Sequence, residues 1–229
     1  MGGRWIRFAR PLGAFGLAAA LTAALTQSTT SASFTATTGD AGNKVSSAAT
    51  FCASTGSASL SPVADTAAYQ AQPNTKYGTA TGIGVGVGTT TSMNAYSFIA
   101  FAVATQQPLP ARCRVTSATL TVFATTPTSG ATIDAYRANA AWDPGTLTWN
   151  TGRPGFAGTP ASTTSLTTGT TGWQTWDVTL LTQELYTGPD YGFALRDSAT
   201  SAASSRYQTW DSMEGTTVLQ RPKLDITWG

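Results

Sequence analysis

From Ser61 to the C-terminus, apolar residues recur at every second position in short runs, and helical spacing is nearly absent. This period of two is what most restricts the fold. Successive side chains of a strand point to opposite faces, so each run marks one buried and one solvated face. Ala118, Leu120, Val122 and Ala124 share a face, as do Leu224, Ile226 and Trp228. The same parity groups Ser97, Ile99, Phe101 and Val103, then Phe193 with Leu195 and Tyr191, and Trp176 with Val178. Ile83, Val85 and Val87 alternate with Gly84, Gly86 and Gly88, so one face of that strand is apolar and the other bare. The bare face offers a flat floor for a chain-like ligand, or equally room for a neighbouring strand or bulky side chains. Short strands separated by turn clusters indicate an all-β antiparallel β-sandwich of jelly-roll type. One helical segment, Thr179 to Tyr186, precedes Gly188-Pro189 and is expected to add a turn or two at a strand end.

The first 32 residues follow a different logic. Arg4, Arg7 and Arg10 are followed by an apolar run from Pro11 to Leu25 and then by the small polar stretch TQSTTSAS. This is the layout of a secretory signal peptide, with cleavage expected after Ala32. The apolar run is shorter than the ~20 residues that span a bilayer. Residues 1–32 are therefore assigned to export, 33–60 to a polar linker or loosely attached first strand, and 61–229 to the sandwich. Three of the 13 basic residues belong to the export segment; the remaining 10 face 11 acidic residues. The apparent basicity thus carries no indication of nucleic-acid binding, and after signal removal no membrane association is expected. An oxidising destination favours a Cys52–Cys113 disulfide over two buried thiols.

The chemistry available is narrow. The chain contains no histidine, which excludes Ser-His-Asp and Cys-His catalysis and imidazole-liganded metals. Carboxylates are the remaining catalytic route, but Asp143 sits in an Asp-Pro-Gly turn signal and Asp177 at a strand end. No spacing brings two acids together, and a non-enzymatic module is expected. Aromatic residues point to sugar recognition, because pyranose C–H faces stack on Trp and Tyr while hydroxyls seek polar partners. Trp176 and Trp228 fall on core faces by parity. Trp142 and Trp149 are assigned to packing. Trp173, opposite Trp176 in parity, and Trp210, preceded by Arg206-Tyr207-Gln208-Thr209, are the candidates to face outward, with Tyr136 a third. The expected ligand site is therefore Trp173, Trp210, Tyr136 and Arg206.

Read in order, the motifs resemble a known family. Ala64-Asp65-Thr66 precedes Gln72-Pro73-Asn74-Thr75-Lys76-Tyr77-Gly78, then Tyr96-Ser97-Phe98-Ile99-Ala100-Phe101 and Val115-Thr116-Ser117-Ala118-Thr119-Leu120. Trp142-Asp143-Pro144-Gly145-Thr146-Leu147-Thr148-Trp149-Asn150 leads to Arg153-Pro154, Trp176-Asp177-Val178-Thr179, Ser212-Met213-Glu214 and Arg221-Pro222-Lys223-Leu224. Over residues 61–229 this order is similar to the DNRLRE domain, also grouped with the family 96 carbohydrate-binding modules. The resemblance implies a jelly-roll sandwich of secreted bacterial proteins, and a polysaccharide or cell-wall glycan as partner. Two departures touch that implication: the family usually carries a basic residue in the strand that here reads YSFIAF, and an Arg where this chain has Met213. Upstream, Ser33-Phe34-Thr35-Ala36-Thr37-Thr38 with Gly42-Asn43 resembles the N-terminus of envelope proteins cut by a biofilm-type signal peptidase. The alternative function is accordingly a structural envelope or matrix protein without a specific glycan. No cofactor is expected. A structural calcium is plausible by analogy with other sugar-binding sandwiches, Asp65 and Asp225 being the carboxylates considered, and is left unassigned.

Overall fold

The computed structural model describes residues 51–166 and 169–229. The export segment and most of the polar stretch after it lie outside these residues. The strands are β1 Gly56–Leu60, β2 Ala64–Tyr69, β3 Gly82–Val87, β4 Asn94–Ala100, β5 Val115–Thr126, β6 Ala131–Ala138, β7 Phe156–Leu166, β8 Gly172–Asp177, β9 Phe193–Asp197, β10 Arg206–Asp211 and β11 Lys223–Trp228. Two short helices interrupt them, α1 Val103–Gln106 and α2 Thr179–Thr187. The strands run in the order β1-β11-β5-β10-β3-β4-β9-β6-β7, with β2 added beside β4 and β8 beside β5. Every pairing is antiparallel. The sheet curls so that its two halves face each other across one core, the jelly-roll-like sandwich that the parity predicts.

The principal core is built by those alternating residues. Ala118, Leu120, Val122 and Ala124 of β5 lie against Leu224 and Ile226 of β11 and Trp176 of β8, all essentially inaccessible. Trp176 and Trp210 meet with ring centroids 5.5 Å apart, and Trp176 donates its indole N–H to the Ile133 carbonyl at 2.9 Å. Replacing either ring by Ala costs about 3–5 kcal/mol, the range for large aromatic deletions in a packed core.

A second, smaller core explains why β4, β6 and β9 do not read as half-polar strands. Phe98, Tyr136 and Ala194 fall on the face away from the principal core, together with Ala68 of β2. The connection between β6 and β7 folds over them, contributing Leu147, Trp142 and Trp149. Asp143 fixes this cover: its Oδ1 accepts the Gly145 N–H at 2.8 Å, and its carbonyl accepts those of Thr146 and Leu147. Trp142 donates to the Tyr191 carbonyl at 2.8 Å. Trp142 and Trp149 are packing residues, as expected.

The structure decides two readings that the sequence left open and corrects one. The segment 33–60 contains a full strand, β1, paired along its length with β11 from Gly56↔Trp228 to Leu60↔Leu224. The glycine face of β3 is not an open floor. A Cβ at Gly84 would run into the Tyr69 hydroxyl, and Gly86 takes φ 151° where it meets the β10 backbone at Arg206. Val103 continues the buried face of Ile99 and Phe101 from the start of α1, not from a strand. Helix α2 follows Asp177, whose Oδ1 accepts both the Thr179 N–H at 3.0 Å and its hydroxyl at 2.6 Å. Those two bonds hold the Asp177 carboxyl below the ordinary carboxylate range. Cys52 and Cys113 form a disulfide across a sequence separation of 61, tying the chain before β1 to the loop before β5. No helix among the described residues is long and apolar enough to cross a membrane.

Candidate glycan-binding face

The outer face of the β1-β11-β5-β8 half remains uncovered, and register arranges its side chains in rows. Asp177, Thr119, Asp225 and Ser59 form one row across β8, β5, β11 and β1. Thr175, Thr121 and Lys223 form the next, in which Thr121 is buried between its neighbours, and Trp173 with Phe123 the row beyond it. Neighbouring strands lie ~4.8 Å apart, so the rows present hydroxyls and charges at a regular spacing. Trp173 is 44% exposed. It packs edge-on against Phe123 with centroids 5.1 Å apart at 82°, which fixes the indole while leaving part of its surface to solvent. A shallow trough of about 410 Å³ lies over Ser57, Ser59, Ser117, Thr119, Asp225 and Thr227 on the same sheet half. Lys223 and Asp225 pair at 3.1 Å on this face.

The other candidates are not brought to it. Trp210 is fully buried. It pairs with Ile83 of β3 and Ala124 of β5, on the inward face. Its polar neighbour Gln208 misleads because it is buried too, with its amide held by the main chain of Thr128. Tyr136 is 5% exposed, inside the second core, where its hydroxyl accepts from Arg196 at 2.9 Å. Burial pushes that phenol above its ordinary value. Arg206 grips Asp197 through two bonds, Nε–H to Oδ2 at 2.9 Å and Nη2–H to Oδ1 at 2.8 Å, and gives Nη1–H to the Gly130 carbonyl at 2.7 Å. With its fork engaged by a buried carboxylate, Arg206 is a structural residue. Asp65 and Asp225 are also separated: Asp225 faces outward beside Lys223, whereas Asp65 is 1% exposed on β2.

A second aromatic surface escapes the parity argument. Arg153 lies over the rings of Trp149, 4.3 Å from the centroid, and of Tyr96 at 5.3 Å. Arg196 lies over Tyr136 at 4.8 Å and Phe156 at 4.9 Å. Tyr96 and Phe156 meet edge-to-face at 5.0 Å, linking the two stacks. Burial lowers the Arg153 pKa from its ordinary value. The guanidiniums cover the ring faces they stack on, so this surface offers N–H donors in place of an open aromatic plane. The Trp149…Arg153 spacing is its one trace in the sequence. A cleft of about 670 Å³ lies elsewhere, between the ends of the helices and the loop holding Pro110 and Arg112.

An antiparallel sandwich with an open, hydroxyl-lined face ending in a braced, exposed tryptophan is the build of a binding module. The sequence bears out the class: residues 56–228 match carbohydrate-binding module family 96, and the chain belongs to that family. The match begins with β1 and ends with β11, so β1 is part of the family domain. No curated protein matches the chain.

Proposed function

We propose that this chain is an exported, non-catalytic module that holds a polysaccharide on the outer face of β8, β5, β11 and β1. The observation that carries the reading is Trp173, exposed on that face and braced by Phe123, with rows of Thr, Ser, Asp and Lys beside it. Trp173 supplies the stacking surface for a sugar ring, and Thr175, Asp177 and Asp225 the polar contacts. The secretory pattern of residues 1–32 and the disulfide support an extracellular setting.

The test is affinity electrophoresis and a glycan array with wild-type chain and Trp173→Ala. Loss of one stacking contact is expected to weaken retention about tenfold, the equivalent of ~1.4 kcal/mol. The melting temperature should hardly move, because the ring already faces solvent. Retention unchanged in Trp173→Ala but lost in Arg153→Met would transfer the site to the arginine-capped surface and end this assignment. Self-assembly without glycan retention would favour a structural matrix role.

A further inference from the structure

The cleft of about 670 Å³ between the helix ends and the loop from Pro108 to Arg114 shares no residue with the glycan face. Its walls are mainly apolar, built by Ala104 of α1, by Pro108, Leu109 and Pro110 of the loop, and by the Tyr186 ring of α2. The uncharged polar side chains that line it are turned to the main chain. Tyr186 donates its hydroxyl to the Gln107 carbonyl at 2.7 Å, Gln183 its amide to the Val115 carbonyl at 2.7 Å, and Thr187 its hydroxyl to the Gln183 carbonyl at 3.1 Å. The hydroxyls of a sugar would meet few partners on these walls, whereas an apolar body would be sheltered from water.

Arg112 and Arg114 line the same cleft while staying exposed, which puts them at its rim. Neither forms an ion pair among the described residues. The nearby carboxylates are engaged: Glu184 pairs with Arg137 at 2.9 Å, and Asp190 accepts the Val103 and Gly192 N–H groups at 2.7 and 3.2 Å. The backbone at Arg112 is strained. The Cys113 N–H bonds to the Pro110 carbonyl at 3.0 Å, closing a turn whose third residue, Arg112, takes φ 64°. Gly or Asn ordinarily fills that position, because a Cβ is crowded there. The disulfide of Cys113 holds the loop on one side of the cleft rim, and two main-chain bonds between Arg114 and Gly229, at 3.2 and 3.3 Å, hold it on the other. Strained residues persist only where their surroundings fix them, and they gather at ligand sites. We infer that this cleft binds a small amphipathic carboxylate, its apolar body against Leu109, Pro110 and the Tyr186 ring and its carboxylate on Arg112 and Arg114. Guanidinium forks match the paired oxygens of a carboxylate. An aliphatic chain and an aromatic ring share this chemistry, and the cleft has room for either.

The full chain is titrated by calorimetry with sodium octanoate and with sodium phenylbutyrate, which separate an aliphatic from an aromatic body. Saturable binding of one equivalent of at least one of them is expected. It should be about tenfold or more tighter than that of acetate, which lacks the body, and of octanol or phenylbutanol, which lack the charge. Arg112→Gln with Arg114→Gln should weaken it by about tenfold or more and leave glycan retention through Trp173 unchanged. Arg112→Gly relieves the turn, so it should hold or raise the melting temperature while weakening carboxylate binding, a split that a purely structural arginine would not give. No saturable binding of either carboxylate, or an affinity no better than that of acetate or the alcohols, overturns the inference. Binding unchanged in the double arginine variant overturns it equally. Should that variant fail to fold, the wild-type comparison of each carboxylate with its alcohol decides alone.

Discussion

Removing the Arg206 guanidinium separates a structural role from a ligand-binding one. Asp197 has no exposed side-chain surface, and Arg206 contributes two of its bonds. In Arg206→Met the Asp197 carboxylate keeps the Ala199 N–H at 3.0 Å and loses its countercharge. Breaking one side of a buried pair leaves an uncompensated charge, at a cost of about 3–5 kcal/mol. The Gly130 carbonyl also loses its partner, adding to the upper part of that range. For a domain of this size 1 kcal/mol moves the melting temperature by ~2–4 °C, so the variant should melt roughly 6–20 °C lower. Arg206→Met with Asp197→Asn removes the stranded charge and should recover a large part of the loss, the coupling that a double-mutant cycle reads. Calorimetry and glycan retention are followed on the same samples. A melting point within about 2 °C of wild type, with retention lost, would refute the structural assignment and return Arg206 to the ligand site.

The disulfide and the buried carboxyl give two further expectations. Cys52→Ser with Cys113→Ser opens a loop spanning 61 positions; the chain-entropy relation makes that worth about 4 kcal/mol, seen as a lower melting temperature that reductant no longer changes. Buried beside the Glu214 carboxyl, Asp65 binds its proton more tightly folded than unfolded, with a pKa of about 7 against an ordinary 3.8. Stability therefore falls as pH rises from about 4 to 7 and levels above that, by at most ~4 kcal/mol, read from denaturant midpoints across that range. Midpoints in Asp65→Asn that retain the same slope would refute the assignment to Asp65.

The strand pattern was legible because side-chain direction alternates along any strand, whatever its neighbours. Residue parity alone identified the inward faces of β5, β8 and β11 and left Trp173 outward. The turns at Asp143 and Asp177 were equally readable, since each carboxylate acts within two or three residues of chain. The polar run before Trp210 offered no such guide, because Gln208 is buried against the main chain of Thr128, 80 residues away. Nothing local to Tyr136 or Arg206 announces the second core or the Asp197 pair, which depend on what the β6–β7 connection covers and on how β9 and β10 converge.

Composition, parity and motif order thus determined an all-β chain without histidine chemistry, a member of a sugar-binding family, with Trp173 exposed. The tertiary structure decided which polar groups are spent inside the fold. It paired Arg206 with Asp197, buried Trp210 against Trp176, covered the β3 glycines with Tyr69 and Met93, and set Asp65 beside Glu214. Those outcomes rest on contacts between residues from a handful to more than a hundred positions apart, and a period of two says which way a side chain points but not what it meets there.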